Sequence, residues 1–390
     1  MDILSDRSGP APESDLQQPR VLHLLSGTSG GHTPRQVSAV ASAVREAGGE
    51  TVVAGGDARA EQVFHRAGID HRPYTPERSG MFLSASTQAL LDTVHQRDLD
   101  IVHVHGAEMG LAAKSFADAA GLPLVMTCPT LPVMSGFLGR RASRKHVAGR
   151  PVIVHHNYAA EVLRRDFGVS ENSVKVIPPG LDIREFEESL VSTERTIALA
   201  MAWGVVDDAR EIVLVPGATT DPGWLNWILT VAMDAEAPDA VWVLVGGGAE
   251  TEDKITEILG KSNAGNRLRW VPTCNDWTAA YKLASMVLNL PADRNGAYTW
   301  ALEAQAMGRP VAVNDIGGGA EMLEPGKTGW LVRDRDPGSL LYAVSASIGR
   351  ETVLRNAMAM AARNFIATRF SVTAMQKATA EVYAKVLRRA

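Results

Sequence analysis

Two glycine-rich turns carry the clearest signs of ligand chemistry in this sequence. The first, at 26–35, reads SGTSGGHTPR and leads from an apolar run into a helix, where Pro34 suits the first helical position. Gly30 and Gly31 leave backbone N–H groups uncovered beside that helix N-terminus, an arrangement that suits a phosphate or carboxylate. A plain strand-to-helix turn is the alternative. The second turn is GGG at 317–319, which also follows an apolar run.

Histidines form two close pairs with different spacing. His103 and His105 stand at i and i+2 of an apolar run, so both point to one face of a strand and reach one ligand. Ordinary polar residues near a strand end are the alternative interpretation. His155 and His156 are adjacent and point in different directions, which is poor spacing for two ligands of one metal ion. The adjacent pair is therefore not predicted to bind a metal ion.

The overall composition is that of an ordinary soluble globular protein. Of 390 residues, 45% are hydrophobic and 21% charged, with a net charge of −5, so no basic footprint predicts a nucleic-acid partner. Cys128 and Cys274 are too few for a disulfide framework and favour a reducing cytoplasm. Residues 1–18 are polar, acidic and proline-containing, which predicts a disordered tail rather than a signal peptide. No run approaches the roughly 18 apolar residues of a membrane span.

Short apolar runs alternate with amphipathic stretches, and these elements must position the turns. The strand candidates are Val21–Leu25, Thr51–Ala54, Ile101–His105, Leu124–Thr127, Val152–Val154, Val174–Ile177, Ile212–Val215, Val241–Val245, Leu268–Val271, Met286–Leu290 and Pro310–Val313. Helix candidates include Pro34–Ala47, Ser84–Gln96, Ala160–Arg165 and the stretches 350–365 and 371–389. Continuous apolar strands alternating with helices predict parallel sheets covered on both faces, a doubly wound α/β fold.

The strand candidates fall into two series, and the chain length also suggests two domains at roughly 100–200 residues each. The charged stretch IREFEESLVSTER carries no strand signal, and it places the boundary near 185–195. We therefore predict an N-terminal domain over 19–190, a C-terminal domain over 191–365 and a final helical segment over 366–390. Ligands of doubly wound sheets bind outside the carboxyl ends of the strands, so we expect a site between two such domains.

Four strings carry a resemblance to a known family. In chain order they are DIVHVHG at 100–106, VIPPGLDIREF at 176–186, ALEAQAMGRPVAV at 301–313 and GGGAEMLEPGKTGWLV at 317–332. Together they resemble successive landmarks of the retaining family 4 glycosyltransferases, over about residues 20–345. The resemblance implies a GT-B architecture, α/β with two Rossmann-like doubly wound domains facing across a cleft. It also implies that 366–390 returns to the N-terminal domain and that no metal or other cofactor is needed.

The resemblance further implies which residues hold the substrates. A nucleotide-diphosphate-sugar donor would be bound mainly by the C-terminal domain, and a glycan or lipid-linked acceptor by the N-terminal domain. Glu303 matches the glutamate that holds the donor ribose hydroxyls, although a solvent-facing helix glutamate is the alternative. The amides of Gly317, Gly318 and Gly319, with neighbouring Glu321, match the turn that approaches the donor phosphates. Gly217 matches the loop after the first strand of that domain.

Several positions depart from the family pattern. Asn295 stands where the family has a glutamate near the reacting sugar, and a neutral amide cannot stabilise a positive centre electrostatically. Tyr298 replaces a glycine and is predicted to close part of the sugar pocket. Ala218 and Pro222 occupy the positions of the family's phosphate-binding arginine and lysine.

The segment around those two positions holds no cation at all. No Lys or Arg occurs between Glu211 and Asp253, whereas an acid, Asp221, does. Loss of one preorganised donor of this kind typically costs about 10²–10³ in rate. Arg294 and Arg309 are the candidates to replace the missing charge from outside the segment.

Two features of the N-terminal half bear on the acceptor. Cys128, Pro129 and Thr130 stand where the family often has a histidine. The segment FLGRRASRKHVAGR at 137–150 concentrates basic side chains and is predicted to touch an anionic membrane surface, with a solvated basic face as the alternative. Those basic side chains are Arg140, Arg141, Arg144, Lys145 and Arg150.

Two functional hypotheses follow. In the first, the protein transfers a hexose with retention to a cell-envelope glycan, such as a lipopolysaccharide or another polysaccharide, or to a lipid-linked acceptor, at the cytoplasmic face of the membrane. In the second, it is a catalytically impaired relative that scaffolds or regulates a partner glycosyltransferase, since the departures cluster at the predicted cleft. A Rossmann dehydrogenase is excluded because GGG at 246–248 lacks the spacing of a dinucleotide fingerprint.

Overall fold

The computed structural model describes residues 18–26, 32–74, 85–131, 144–247, 252–261, 265–294 and 296–388. The chain divides into two compact units, Met1–Thr127 with Gln376–Ala390 and Cys128–Met375. The domain limits derived from the sequence stay a prediction. Among the described residues, no helix combines the length and the apolar character needed to cross a membrane.

The first unit is built on parallel strands in the order β3-β2-β1-β4-β5. In chain order these strands are β1 (Arg20–Leu25), β2 (Glu50–Gly55), β3 (Asp70–Arg72), β4 (Ile101–His105) and β5 (Leu124–Cys128). The helices between them are α1 (His32–Glu46), α2 (Ala58–Arg66), α3 (Ala85–Gln96) and α4 (Gly110–Ala120). Every residue of β4 is buried, which explains why its residues other than the two histidines are all apolar.

The second unit begins with a parallel pair, β6 (Val152–Val154) and β7 (Val174–Val176), joined through α5 (Asn157–Phe167). A six-stranded sheet follows, in the order β10-β9-β8-β11-β12-β13 and parallel throughout. Its strands are β8 (Glu211–Pro216), β9 (Ala240–Val245), β10 (Leu268–Val271), β11 (Met286–Asn289), β12 (Val311–Asn314) and β13 (Gly329–Val332).

Helices cover both faces of the six-stranded sheet. They are α6 (Thr193–Ala202), α7 (Pro222–Ala232), α8 (Glu252–Lys261), α9 (Trp277–Leu283), α10 (Thr299–Ala306), α11 (Pro337–Ser347) and α12 (Thr352–Arg369). Alternate residues of a strand enter different cores: Leu214 packs in one cluster, while Val213 and Val215 pack in the other. The last helix, α13 (Val372–Leu387), crosses from the second unit into the segment that belongs to the first.

The strand and helix candidates from the sequence are confirmed, with small shifts at their ends. Two strands were not predicted. β3 is the short polar run DHR, whose side chains are only partly buried or exposed. β13 begins at a glycine and directly follows the turn motif PGKT, so its apolar run is short.

Candidate functional site

The candidate site lies at the carboxyl edge of the six-stranded sheet. Because all strands are parallel, the loops after β8, β11, β12 and β13 emerge at the same edge, where ligands of such sheets bind. These loops hold Gly217, Arg294, the turn 317–319 and Glu321. The structure therefore brings most of the predicted donor residues to one edge of one unit.

The turn after β12 is packed so closely that none of its glycines has room for a side chain. A Cβ on Gly317, whose φ is +55°, would stand 2.6 Å from the Arg294 carbonyl oxygen. On Gly318 it would stand 2.5 Å from Cγ of His156, and on Gly319 it would overlap the Asn314 carbonyl oxygen. Packing alone explains these glycines, so the phosphate-binding role of their amides stays a prediction.

Glu321 binds the N-terminus of α5. One carboxylate oxygen accepts the backbone N–H of Asn157 at 3.0 Å and its side-chain amide at 2.7 Å, and the other accepts the N–H of Tyr158 at 3.1 Å. A carboxylate is favourable there because the helix N-terminus carries partial positive charge. Both oxygens are occupied inside the protein, and the predicted contact of Glu321 with the donor is untested.

His156 connects the same helix to the glycine turn. Its Nδ1 accepts the N–H of Ala159 at 3.1 Å and caps α5, while its ring lies against Gly318. Burial lowers the pKa of His156, with the Glu321 charge acting in the opposite direction. Burial also lowers the pKa of His155, to about 4. Both rings are thus neutral at neutral pH, which is the state that lets Nδ1 of His156 accept a hydrogen bond.

Glu303 is buried on α10, with 2% of its surface exposed. The Tyr281 hydroxyl donates to its carboxylate at 2.7 Å. The alternative of a solvent-facing helix glutamate is therefore wrong. Its predicted ribose contact remains untested, but a buried carboxylate with an orienting donor has the chemistry to accept hydroxyl protons.

Two half-buried tryptophans connect Gly217 with this carboxylate. A Cβ on Gly217 would stand 2.9 Å from Cζ3 of Trp300, so the indole lies directly against the loop after β8. The Trp300 ring centroid is 5.8 Å from that of Trp277, which is 5.9 Å from that of Tyr281. Neither tryptophan was singled out from the sequence. The signal that could have found them is their position, because each lies at the start of a helix.

Tyr298 lies directly before α10 and contacts the segment that leads into the glycine turn. Its hydroxyl donates to the Ile316 carbonyl oxygen, and only 5% of the residue is exposed. Burial raises the pKa of the phenol, so it stays protonated. The prediction that Tyr298 closes part of a sugar pocket is untested.

The cation near the loop after β8 comes from another segment. The Arg335 guanidinium lies over Gly223 at the start of α7 and pairs with Asp221 at 2.9 Å. Asp221 also accepts the N–H of Trp224 at 2.7 Å, and this bond, together with Arg335, lowers the pKa of its carboxyl. The loop therefore contains an ion pair where the sequence showed only an acid.

The two arginines proposed as replacement cations have different surroundings. Arg309 pairs with Glu188 at 3.0 Å and is mostly buried, so its charge is already compensated. Arg294 is exposed, and its backbone supports Gly317. Of these two, Arg294 has the more accessible side chain.

Some predicted residues lie outside the described part of the chain. These are Gly30, Gly31 and Asn295, with Arg140 and Arg141 of the basic segment. Arg150 is 5% exposed and donates to the carbonyl oxygens of Ala148 and Lys145, so the assignment of its side chain to a basic surface is wrong. Arg144 donates to the Asp166 carbonyl oxygen and remains exposed. Both cysteines are free and buried.

Comparison with known families covers both halves of the chain. Residues 33–185 match Glycosyltransferase Family 4, and residues 211–349 match Glycosyl transferases group 1. The protein belongs to the family 4 glycosyltransferases. The GT-B fold class predicted from the sequence is confirmed.

This family 4 protein has both sequence relatives and structural neighbours. It is 28% identical over 297 residues to a D-inositol 3-phosphate glycosyltransferase of Geodermatophilus obscurus, an alignment covering 70% of this chain and 65% of the relative. It is 24% identical over 307 residues to an Escherichia coli UDP-Gal:alpha-D-GlcNAc-diphosphoundecaprenol alpha-1,3-galactosyltransferase, covering 73% and 75%. Its structure resembles Anabaena Alr3699/HepE in complex with UDP-glucose, with a TM-score of 0.77 at 20% identity, covering 94% and 99%.

Proposed function

We propose that this protein transfers a hexose from a nucleotide-diphosphate-sugar donor to a cell-envelope glycan or a lipid-linked acceptor, with retention of configuration. The observation that carries the proposal is the carboxyl edge of the six-stranded sheet. There Glu303, oriented by Tyr281, lies beside the tryptophan pair and on the same sheet edge as the glycine turn. The match of both chain halves to glycosyltransferase families supports it.

The ribose, the nucleoside and the diphosphate of the donor each have a candidate partner at this edge. Glu303 would accept hydrogen bonds from the ribose hydroxyls, and the faces of Trp277 and Trp300 offer apolar area to the nucleoside. In the transfer, the bond from the anomeric carbon to the diphosphate oxygen breaks and a bond to an acceptor hydroxyl oxygen forms. The departing diphosphate gains negative charge, which the exposed Arg294 would stabilise.

The acceptor class is inferred from a relative. The Escherichia coli protein is named for a diphosphoundecaprenol-linked acceptor, and the Anabaena neighbour is described with UDP-glucose. We extend these classes to this chain and, with them, a cytoplasmic location in which the exposed Arg144 and Lys145 of the basic segment touch an anionic membrane surface.

A second candidate is a non-catalytic relative that scaffolds or regulates a partner glycosyltransferase. One observation favours it: the loop after β8 has no basic residue of its own, and the Arg335 charge that reaches it is compensated by Asp221. In this candidate the partner glycosyltransferase carries out the transfer.

A transfer assay distinguishes the two candidates. The purified protein is incubated with membranes that contain lipid-linked glycans and with labelled UDP-, GDP- and ADP-hexoses. Proton spectra of the product report the anomeric configuration. The first candidate is supported if Glu303→Gln loses transfer while Glu324→Gln, the control at an exposed glutamate, retains it. The second candidate is supported if nucleoside diphosphate is released only after a partner transferase is added.

A further inference from the structure

Three histidines of the first unit meet on one face of its sheet. His23 on β1 lies directly opposite His103 on β4, and His105 follows two residues later on the same face. Their ring centroids are 5.5 Å apart for His23 and His103, 5.3 Å for His23 and His105, and 4.0 Å for His103 and His105. All three are buried, with 0%, 1% and 5% of their surfaces exposed.

One ring nitrogen of the cluster has no hydrogen-bond partner among the described residues. Nδ1 of His23 lies 3.0 Å from Nε2 of His105, whereas Nε2 of His23 is buried without a partner among the described residues. Nδ1 of His103 lies 2.6 Å from the Tyr383 hydroxyl, and its Nε2 lies 2.8 Å from the Thr127 hydroxyl. A buried ring nitrogen with no partner is costly, so the hydrogen bonds within the described residues do not satisfy the whole cluster.

We propose that His23, His103 and His105 form a binding site for one divalent transition-metal ion of the zinc type. One ring nitrogen from each lies within 4.8 Å of the others. Nδ1 of His23 and Nε2 of His105 lie 3.0 Å apart. This is close to the roughly 3.3 Å that separates two nitrogens bound to one tetrahedral ion at about 2.0–2.1 Å. Three imidazoles are a known ligand set for zinc.

The surroundings of the cluster suit this role. Burial lowers the pKa of His23 to about 3 and that of His103 well below its ordinary value, so these two imidazoles are neutral at neutral pH. The Tyr383 hydroxyl can accept the Nδ1–H of His103 and thereby fix its tautomer, as partners of metal-bound histidines do. The Thr127 hydroxyl can rotate away and release Nε2.

The ion would stabilise the first unit rather than take part in sugar transfer. It would tie β1 to β4 and, through Tyr383, to α13 within the same unit. The expectation that glycosyl transfer needs no metal is compatible with this site, because the ion would act on folding. Loading would accompany folding, since the rings are buried.

Metal binding by the full chain tests the proposal. The protein is refolded with Zn²⁺ or Co²⁺, freed of loose metal, and assayed by mass spectrometry for metal content. We expect one ion per chain, a raised thermal midpoint, and for Co²⁺ the absorption bands of a low-coordinate site. His23→Asn should weaken binding more than about tenfold, while His95→Asn, at an exposed histidine of α3, should leave it unchanged.

A crystal of the wild type grown with Zn²⁺ locates the ion even where His23→Asn does not fold. An anomalous peak between the three rings supports the proposal. It is overturned by a wild-type chain that binds no ion, by stoichiometric binding that survives His23→Asn, by loss of binding in His95→Asn, or by a peak elsewhere. In each of those cases the cluster is a hydrogen-bonded histidine network only.

Discussion

The turn after β12 and the loop after β8 lie at the same sheet edge but are held in different ways. The turn at 317–319 is fixed by close backbone packing against Arg294, His156 and Asn314. The loop at 217–221 is held by an ion pair between Asp221 and Arg335 and by the cap that Asp221 gives to α7. A substitution in the turn must therefore move backbone atoms, whereas a substitution in the loop changes a charge pair between side chains.

The largest effect is expected from filling the turn. Gly319→Ala places a methyl group into the Asn314 carbonyl oxygen, and overpacking of this kind costs about 1–3 kcal/mol of unfolding free energy. Urea unfolding measures it. Gly260→Ala is the matched control, since Gly260 has nothing within 4 Å and should be neutral or slightly stabilised. Equal stabilities for the two variants would mean that the turn is not tightly packed.

The next effect concerns Glu303. Glu303→Gln keeps the shape of the side chain and a hydrogen-bonding oxygen for Tyr281 but removes the charge. We expect nucleotide binding to weaken by about 1–3 kcal/mol, the scale of a lost charge-assisted hydrogen bond. Calorimetric titration measures it, with Glu324→Gln as the exposed control. A dissociation constant that does not change would remove Glu303 from the nucleotide site.

Acid should weaken the two regions in different pH windows. The folded pKa of His156 is lowered, so its contribution to stability is present above the unfolded value near 6.5 and is lost as pH falls from there toward the folded pKa. The slope is at most about 1.4 kcal/mol per pH unit. The folded pKa of Asp221 is also lowered, so its contribution is lost only below its ordinary 3.8.

Unfolding free energies measured across the acid range check these two windows. His156→Asn keeps a capping oxygen but does not titrate, so it should reduce the slope of the upper window and leave the lower one. The remaining slope comes from the other buried histidines, His155, His23 and His103. Asp221→Asn should reduce the slope of the lower window alone, because other carboxylates with lowered pKa values, such as Asp208, still titrate there. A His156→Asn chain with the wild-type slope between pH 6.5 and 5 would show that protonation of this ring is not coupled to the turn.

The smallest effect comes from charge at the loop. Asp221→Asn leaves Arg335 uncompensated, and if the donor diphosphate lies there, nucleotide binding should tighten by about two- to fivefold. Asp234→Asn is the control, because Asp234 also accepts a backbone N–H, at the other end of α7. Equal affinities in both variants would place the diphosphate away from this loop.

The strand positions and the fold class could be predicted from the sequence, because buried parallel strands are continuous apolar runs. Positions 303 and 317–319 were found because they match long family strings. The partners of the site were not predictable, since they come from distant segments: Glu321 binds α5, 164 residues from Asn157, and Arg335 reaches Asp221. Nothing in local sequence reports such pairs. The third histidine, His23, was missed for the same reason, because only sheet register places it opposite His103.

The most direct test of the central claim is a calorimetric titration of the folded protein with UDP, GDP and ADP and then with their hexose conjugates. We predict that one nucleotide sugar binds with a dissociation constant between about 1 μM and 1 mM, the usual range of substrate constants. Binding of that ligand would identify the donor for an acceptor screen. No binding of any of these ligands by a protein shown to be folded would contradict donor binding at the sheet edge and favour the scaffold.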